Sequence, residues 1–224
     1  MSHSIAKGST TFRYGFRSET QLLTFLLENK KAIGLAFIGR SNVGKSSLIN
    51  TLFGKKTART SKTPGRTREI NVFTFRLERE GKIDEELPEF YLFDLPGYGF
   101  AQVDVNMSQN WNLLMGTFFK HAPSTVALCN LQDARHPLQR ADLDYRDFIL
   151  PYSFESILIL NKIDKLKTQK DRAALKKTMP KLKAEFKHAI ATFSASAESA
   201  QGVPELEAAM VEFMLGKFGE QAES

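Results

Sequence analysis

A glycine-rich run that ends in lysine and serine is the first candidate for chemistry in this sequence. The run matches the pattern G-x-x-x-x-G-K-[ST] in full and lies between a strand-like and a helix-like stretch. Such glycines let successive backbone N–H groups point at phosphate oxygens, and the following helix adds partial positive charge. We therefore predict a nucleotide phosphate site, with Lys45 on the β- and γ-phosphates and the Ser46 hydroxyl on Mg²⁺. The predicted contacts are Gly39, Arg40, Ser41, Asn42, Val43, Gly44, Lys45 and Ser46.

Two further segments carry groups that could hold the metal ion and respond to the third phosphate. In Asp94-Leu95-Pro96-Gly97, the aspartate is predicted to hold Mg²⁺ through a water molecule and the Gly97 N–H to bond the γ-phosphate. Thr67 lies between the two motifs and is predicted to ligate Mg²⁺ and sense the γ-phosphate, although a solvated turn is the alternative. We assign its neighbours to the same nucleotide site: Gly65, Arg66, Arg68 and Glu69.

The segment Asn161-Lys162-Ile163-Asp164 directly follows another apolar run and predicts which base is bound. The carboxylate of Asp164 can accept hydrogen bonds from the N1–H and 2-amino groups of guanine, and adenine has neither donor. We expect Asn161 to brace the phosphate loop and the stem of Lys162 to lie over the base. A backbone N–H at the end of the next strand can bond the guanine O6, which adds three residues to the site: Phe193, Ser194 and Ala195.

The position that usually orients the attacking water carries an unusual residue. Ras-like enzymes place a glutamine directly after the Asp-x-x-Gly motif, whereas this sequence has Tyr98. A phenol cannot make the paired contacts of an amide, so we predict slow hydrolysis that a partner, an ordered loop or a monovalent cation accelerates. The candidate catalytic groups are Lys45, Thr67 and Asn42. Asn42 either holds K⁺ or only shapes the loop, and comparing turnover in KCl and NaCl separates the two readings.

Alternating strand-like and helix-like patterns predict the elements that position these residues. They favour a three-layer α/β fold, and the phosphate and guanine motifs make it the Ras-like, P-loop GTPase type. We expect a six-stranded, mostly parallel sheet with one antiparallel edge strand and helices on both faces. The predicted limits are 1–31 for an N-terminal extension and helix, 32–218 for the GTPase domain and 219–224 for a flexible tail. We also expect a capping box that begins at Ser18 and a kink or break at Pro180.

Composition narrows the class of protein. The 224 residues suit one domain, and the single cysteine excludes a disulfide framework and a multi-cysteine metal site. The sequence has neither an apolar run of membrane-spanning length nor a signal peptide, so we expect a cytoplasmic protein that does not bind membranes. We also expect it to be a monomer. The net charge of +6 favours a polyanionic partner, although a surface that only keeps the protein soluble is the alternative. The cations crowd two segments, 55–68 and 165–183.

Taken together, these motifs resemble the EngB family, a group of GTP-binding proteins in the TrmE-Era-EngA-EngB class. The resemblance rests on Gly39–Ser47, Thr60–Thr67, Asp94–Gly99 and Asp133–Pro137, and covers most of the chain. It implies a switch that binds GTP or GDP with Mg²⁺, assists assembly of the large ribosomal subunit, contacts ribosomal RNA and is linked to septation. The alternative is a septation or signalling GTPase that binds a protein partner without RNA. An RNA-modifying GTPase would need a further catalytic domain, for which the chain has no room.

Overall fold

The computed structural model describes residues 2–58, 69–99 and 105–223, with only the backbone described for residues 105–108. The strands within these ranges are β1 (His3–Ile5), β2 (Thr11–Phe16), β3 (Gly34–Gly39), β4 (Ile70–Phe75), β5 (Leu77–Arg79), β6 (Lys82–Ile83), β7 (Phe90–Asp94), β8 (Val126–Asp133), β9 (Ser156–Asn161) and β10 (Ala189–Ser194). The helices are α1 (Glu19–Glu28), α2 (Lys45–Phe53), α3 (Val105–His121), α4 (Arg140–Ile149), α5 (Gln169–Glu185) and α6 (Val203–Ala222), with a short 3₁₀ helix at Ile163–Lys165.

Seven of the described strands form one mixed sheet in the order β10-β9-β8-β3-β7-β4-β2. Strands β3, β7, β8, β9 and β10 are parallel, and β4 runs antiparallel to both of its neighbours. A small antiparallel sheet pairs β1 with the β5–β6 hairpin. The mostly parallel α/β class is therefore confirmed.

The main sheet nevertheless has one strand more than the predicted six, and its antiparallel strand is not at the edge. Strand β2 lies outside β4 and forms the edge. Five of its six residues are exposed, and a bulge between Phe12 and Tyr14 shifts the register. A strand that is exposed on both faces lacks the alternation from which strands are predicted. The N-terminal segment therefore contributes a strand to the sheet as well as the helix α1.

Apolar side chains fill a layer on each face of the sheet. One layer packs against α2 and α6, and the other against α1, α3 and α4. Phenylalanines contribute the largest fully buried side chains of both layers, which are Phe37, Phe53, Phe75, Phe90, Phe93 and Phe118. Cys129 is also buried, and burial raises the pKa of its thiol, as expected for an inert core residue.

Three helix features differ from the prediction. Ser18 is the N-cap of α1, but its side chain makes no capping bond and its expected partner Gln21 stays exposed. Helix α5 continues unbroken through Pro180, which is exposed, so water can satisfy the carbonyl that its ring leaves without a partner. Helix α6 continues to Ala222 over most of the predicted tail, and the side chain of Gln221 donates to the Lys31 carbonyl at 3.2 Å.

Candidate nucleotide-binding site

The candidate residues lie at one edge of the main sheet, where its parallel strands end. Strand β3 leads into residues 39–46, β7 ends at Asp94, β8 at Asp133, β9 at Asn161 and β10 at Ser194. The carboxyl ends of parallel strands open on the same side of a sheet, which is where α/β proteins bind ligands. Segments that are far apart in the sequence therefore converge here.

Gly44 and Asn42 shape the loop that follows β3. Both have a positive φ, 94° for Gly44 and 62° for Asn42, in the left-handed region. A Cβ atom on Gly44 would lie 2.6 Å from the side-chain nitrogen of Asn161, so the close approach requires glycine. Helix α2 begins directly afterwards and has no acidic residue in its first turn. Its amino terminus therefore suits an anion such as a phosphate group, and the backbone of Asn42 supports the reading in which this residue shapes the loop.

Lys45 and Asp94 form a buried ion pair in which the lysine Nζ donates to the aspartate Oδ1. Their side chains are 9% and 5% exposed. Ser46, the predicted metal ligand, is half-buried beside the lysine at the start of α2. The described residues hold no cluster of three or more His, Cys, Asp or Glu side chains suited to a metal ion. The hydroxyl of Ser46 and the carboxylate of Asp94 fit Mg²⁺, which usually takes one or two protein oxygens together with phosphate oxygens and water.

The segment that begins at Asp94 is held against the phosphate loop by its backbone. Tyr98 N–H donates to the Gly39 carbonyl at 3.3 Å, and Ser41 N–H donates to the Tyr98 carbonyl at 3.2 Å. A Cβ atom on Gly97 would lie 2.9 Å from the Gly39 oxygen, so glycine is needed for this approach. Leu95 and Pro96 are buried between the two ends. The two phosphate-directed motifs therefore form one unit.

The side chains of Tyr98 and Arg40 both point to the first turn of α4. Tyr98 is 5% exposed, and its hydroxyl donates to the Asp142 carboxylate at 3.0 Å. Burial, and then the charge of Asp142, raise the pKa of this phenol well above its usual value. The Arg40 guanidinium donates to Asp142 and to the His136 carbonyl, each at 2.9 Å. The Arg40 side chain is therefore held away from the loop by a buried carboxylate, and its predicted place in the nucleotide site depends on its backbone and stays a prediction.

The motif that starts at Asn161 braces the phosphate loop as predicted. The Asn161 side-chain amide donates to the Val43 carbonyl at 3.0 Å. Lys162 Nζ donates to the Asn42 carbonyl and, at 3.1 Å, to the carboxylate of Asp133. The base-binding motif is therefore tied to the phosphate loop by two neighbouring side chains.

Asp164, the predicted guanine-binding carboxylate, is held by a buried serine that the sequence analysis did not assign. Ser196 Oγ donates to Asp164 at 2.7 Å and accepts the backbone N–H groups of Glu198 and Ser199 at 3.2 and 3.1 Å. The hydrogen bond from Ser196 is the largest cause of a lowered pKa at Asp164, which keeps the carboxylate charged. The sequence signal was Ser194-Ala-Ser196 itself, which follows the last strand.

Phe193, Ser194 and Ala195 reach the same edge, but the N–H groups that follow Ser194 are already engaged. Ala195 N–H donates to the Leu160 carbonyl, and Ser196 N–H to the Gln201 carbonyl, both at 2.9 Å. The predicted bond to the guanine O6 from either group requires its present bond to open or to be shared.

Five predicted residues cluster in the segment 65–69, and four of them lie outside the described residues: Gly65, Arg66, Thr67 and Arg68. The predicted roles of Thr67 in metal binding and catalysis therefore stay predictions. Glu69 is described, and its carboxylate accepts a hydrogen bond from Arg17 at 2.8 Å.

Asp133 caps the turn after β8 and binds two cationic side chains. It accepts the Arg135 backbone N–H at 3.1 Å and also binds the Arg135 guanidinium at 2.9 and 2.7 Å. Burial raises the pKa of Asp133, but hydrogen bonds from Arg135 and Lys162 outweigh it and hold the pKa well below its usual range. Asp142, in contrast, had no sequence signal, because nothing near it in the chain resembles a motif.

Known proteins share both the sequence and the fold of this chain. The profile of the family described as 50S ribosome-binding GTPase matches residues 34–162. The probable GTP-binding protein EngB of Alteromonas mediterranea is 40% identical over 182 residues, which cover 81% of this chain and 80% of that protein. Its counterpart in Xylella fastidiosa is 37% identical over 183 residues, covering 81% and 84%.

Solved structures give the same fold at lower sequence identity. A crystal structure of a probable GTP-binding protein EngB has a TM-score of 0.58 at 22% identity, covering 82% of this chain and 99% of that one. Era in complex with MgGDPNP and nucleotides 1506–1542 of 16S ribosomal RNA has a TM-score of 0.62 at 22% identity, covering 82% and 57%. These structures share the P-loop GTPase fold. From the family profile and the sequence relatives, the chain belongs to the EngB family of GTP-binding proteins and is a GTPase.

Proposed function

We propose that this GTPase is a slow, Mg²⁺-dependent switch that acts in assembly of the large ribosomal subunit, with a link to septation in cell division. The nucleotide site supports the switch, but it does not indicate where the protein works. The observation that carries the ribosomal part is the positive charge concentrated on helix α5, since phosphate backbones bind such surfaces.

Helix α5 is lysine-rich and Leu182 is its buried residue. Three of its lysines, Lys170, Lys177 and Lys181, are spaced by seven and four residues, which places them on one side of the helix. Two more lie on the neighbouring side, and all five are exposed. We call this set the α5 basic face: Lys170, Lys176, Lys177, Lys181 and Lys183. In the other basic segment, Lys55 and Lys56 are exposed, and residues 59–68 lie outside the described residues.

The test is binding to large-subunit precursors, measured by co-sedimentation over a range of salt concentrations. We expect the triple change Lys170→Glu, Lys177→Glu and Lys181→Glu to weaken binding strongly. Each lost phosphate contact lowers the slope of log affinity against log salt by about 0.7 to 0.9. Exposed lysines elsewhere give a control with the same change in net charge: Lys7→Glu, Lys30→Glu and Lys82→Glu. Equal losses in both triple variants, or binding that is indifferent to salt, would contradict the proposal.

The residues at the sheet edge fit a magnesium nucleotide. Ser46 and Asp94 would hold Mg²⁺, with Thr67 as the proposed third ligand, and the ion would neutralise phosphate charge. Lys45 would bind the phosphates and Asp164 the guanine. Each of the four described residues lies at the same edge of the sheet, which supports this assignment.

Slow hydrolysis follows from the position of Tyr98. Its buried hydroxyl is directed at Asp142, so this side chain does not orient an attacking water. The remaining candidates are Lys45, Thr67 and a K⁺ ion held by Asn42. Faster turnover in KCl than in NaCl would support the potassium site, whereas equal rates would leave Asn42 as a residue that shapes the loop.

The second candidate function is a septation or signalling switch that binds a protein and no RNA. Recovery of division proteins rather than ribosomal precursors in a pull-down would favour it. We propose that the protein works in the cytoplasm, because a single buried cysteine suits a reducing compartment, and that it is a monomer. None of the helices in the described part of the chain has the length and apolar character needed to cross a membrane.

A further inference from the structure

A buried polar cluster lies directly behind the phosphate loop. At its centre is Asp142, which is fully buried at the start of α4. Its carboxylate accepts hydrogen bonds from Arg40 Nε at 2.9 Å, from the Tyr98 hydroxyl at 3.0 Å and from the Gln139 backbone N–H at 2.9 Å. We call these residues, together with Asn130, the Asp142 cluster.

Asn130, in β8, completes the cluster around the phenol. Its Oδ1 lies 3.3 Å from the Tyr98 hydroxyl, and its Nδ2 is buried with no partner among the described residues. The hydroxyl has one proton, and the charged Asp142 is the stronger acceptor. Turning the Asn130 amide over would let Nδ2 donate to the phenolic oxygen, which would then donate to Asp142 and accept from Asn130.

The cluster joins separate parts of the candidate nucleotide site. Arg40 belongs to the loop after β3, Tyr98 directly follows Gly97, and Asp142 belongs to α4. The backbone of Tyr98 is paired with the same loop, through Gly39 and Ser41. Both the backbone and the side chain of Tyr98 therefore fix the peptide on its amino-terminal side, which includes Gly97.

We propose that Tyr98 and Asp142 are positioning residues that hold the Gly97 N–H in its γ-phosphate-binding place before GTP arrives. The inference rests on the proposed contact between Gly97 and the γ-phosphate. In this chain a tyrosine stands where other GTPases have the water-orienting glutamine, and its hydrogen bond to Asp142 anchors the segment that contains Gly97. Without the anchor, the arrangement of Gly97 that binds the γ-phosphate becomes one of several, and the apparent affinity for GTP falls in proportion to the fraction of molecules in that arrangement. GDP has no γ-phosphate, so its binding does not depend on this arrangement and only GTP binding is weakened.

The test compares two hydroxyl deletions within one stacked pair of rings. Tyr98 and Tyr145 stack with centroids 4.5 Å apart, and the Tyr145 hydroxyl has no hydrogen-bond partner in the part of the chain that the structure describes. Tyr98→Phe removes an anchoring bond to a charged acceptor, and Tyr145→Phe removes a hydroxyl of the same stack. Affinities for GDP and for a non-hydrolysable GTP analogue are measured by titration, and each variant is melted as a check of folding.

We expect Tyr98→Phe to weaken binding of the GTP analogue by about 10-fold, the effect of losing a hydrogen bond to a charged group, with GDP binding unchanged. Tyr145→Phe should change neither affinity. Equal weakening of both nucleotides by Tyr98→Phe would overturn the proposal and leave the cluster a purely structural role, as would no effect on either.

Asp142→Asn provides the second variant, since it keeps the shape and an oxygen acceptor while removing the charge. It should show the same selective loss for the GTP analogue, and a stable Asp142→Asn protein with equal affinities to the wild type would also overturn the proposal. The ribosomal function is tested separately through the α5 basic face.

Discussion

Lys45 and Asp94 are two opposite charges that each need a partner in buried surroundings. In the described structure they are partners of each other, at the positions predicted for phosphate and metal binding. A buried charge that loses its partner is strongly destabilising, by about 3 to 5 kcal/mol. When a magnesium nucleotide binds, we expect both side chains to change partner, because the lysine can then pair with phosphate oxygens and the aspartate with Mg²⁺. Neither charge is then left unpaired in either state.

Asp133 gives a prediction about pH. Its lowered pKa means that the folded state favours the charged form, so the stabilisation is present above the ordinary aspartate pKa and is lost as the pH falls towards the lowered value. We expect Asp133→Asn to cost about 2 kcal/mol of unfolding free energy at pH 7, as for hydrogen bonds to a charged group. At pH 3, below the unfolded pKa of about 3.9, part of this difference should be gone, and the loss should continue as the pH falls further.

Urea unfolding of both proteins at pH 7 and pH 3 measures the effect. Asp144→Asn is the control, because Asp144 forms an exposed pair with Arg140 on the surface of α4. Exposed pairs contribute little, so this variant should match the wild type at both pH values. If the unfolding free energies of the wild type and Asp133→Asn differ by the same amount at both pH values, or by more at pH 3, the pairing of Asp133 with Arg135 and Lys162 is not what stabilises the fold.

Residues defined by type and spacing could be placed from the sequence, whereas many of their contacts could not. The bond from Asn161 to the phosphate loop was predicted, because both groups belong to motifs at the ends of parallel strands. The bond from Arg40 to Asp142 joins residues 102 positions apart, and α4 carries other acidic residues. Sequence alone does not say which carboxylate the fold buries against the loop.

Helix α6 supplies a prediction at the scale of an element. Its N-cap, Gly202, has a φ of 72°, and a Cβ atom there would lie 2.0 Å from the Ser194 carbonyl oxygen. We expect Gly202→Ala to cost at least about 2 kcal/mol of stability, because a left-handed backbone and a clash are combined. It should also weaken GDP binding, because Ser194 to Ser196 would have to shift and Ser196 holds Asp164.

Gly216 is the matched control within the same helix. A Cβ atom at Gly216 meets nothing within 4 Å, so Gly216→Ala adds a better helix former without a clash. This variant should gain up to about 1 kcal/mol and bind GDP as the wild type does. Thermal melting and nucleotide titration of both variants check the contrast, and a Gly202→Ala protein of normal stability would show that the close approach can relax.

Strands were predictable where burial gave them a pattern. Strands β3, β8 and β9 are buried along their whole length, and each reads as a short apolar run. Strand β2 has one buried residue, so its membership of the sheet depends on backbone pairing with β4, which leaves little trace in the sequence. The same limit applied to β1 and β6, which are only three and two residues long.

At the scale of the whole molecule, the N-terminal segment connects both core layers. Ile5 is buried in the layer beside α6, and its backbone N–H donates to Glu207 at 2.9 Å. Phe16 is buried in the opposite layer, where its ring lies 5.2 Å from that of Phe25. A segment anchored on both faces should unfold together with the GTPase domain, on which the sequence predicts that it packs.

A pair of phenylalanines on β2 tests this cooperativity. Phe16 is 7% exposed and Phe12 is 57% exposed, so the two rings differ in burial but share a strand. We expect Phe16→Ala to cost about 3 kcal/mol and Phe12→Ala less than about 1 kcal/mol. The single tryptophan, Trp111 in α3, reports on the core of the domain through its fluorescence. If the segment is integral, Phe16→Ala lowers the melting temperature of the Trp111 signal by about 6 to 12 °C, as expected for a domain of this size.

The contrary result is equally distinct. An N-terminal segment that is only attached to the surface would melt on its own, so Phe16→Ala would leave the Trp111 transition in place while far-ultraviolet circular dichroism showed an earlier, separate loss of structure. Coincident transitions by both signals in the wild type and in Phe16→Ala would instead mark a single cooperative unit. Strand β4 would then depend on β2 for its pairing, and removal of the segment would expose the β4 edge to other chains.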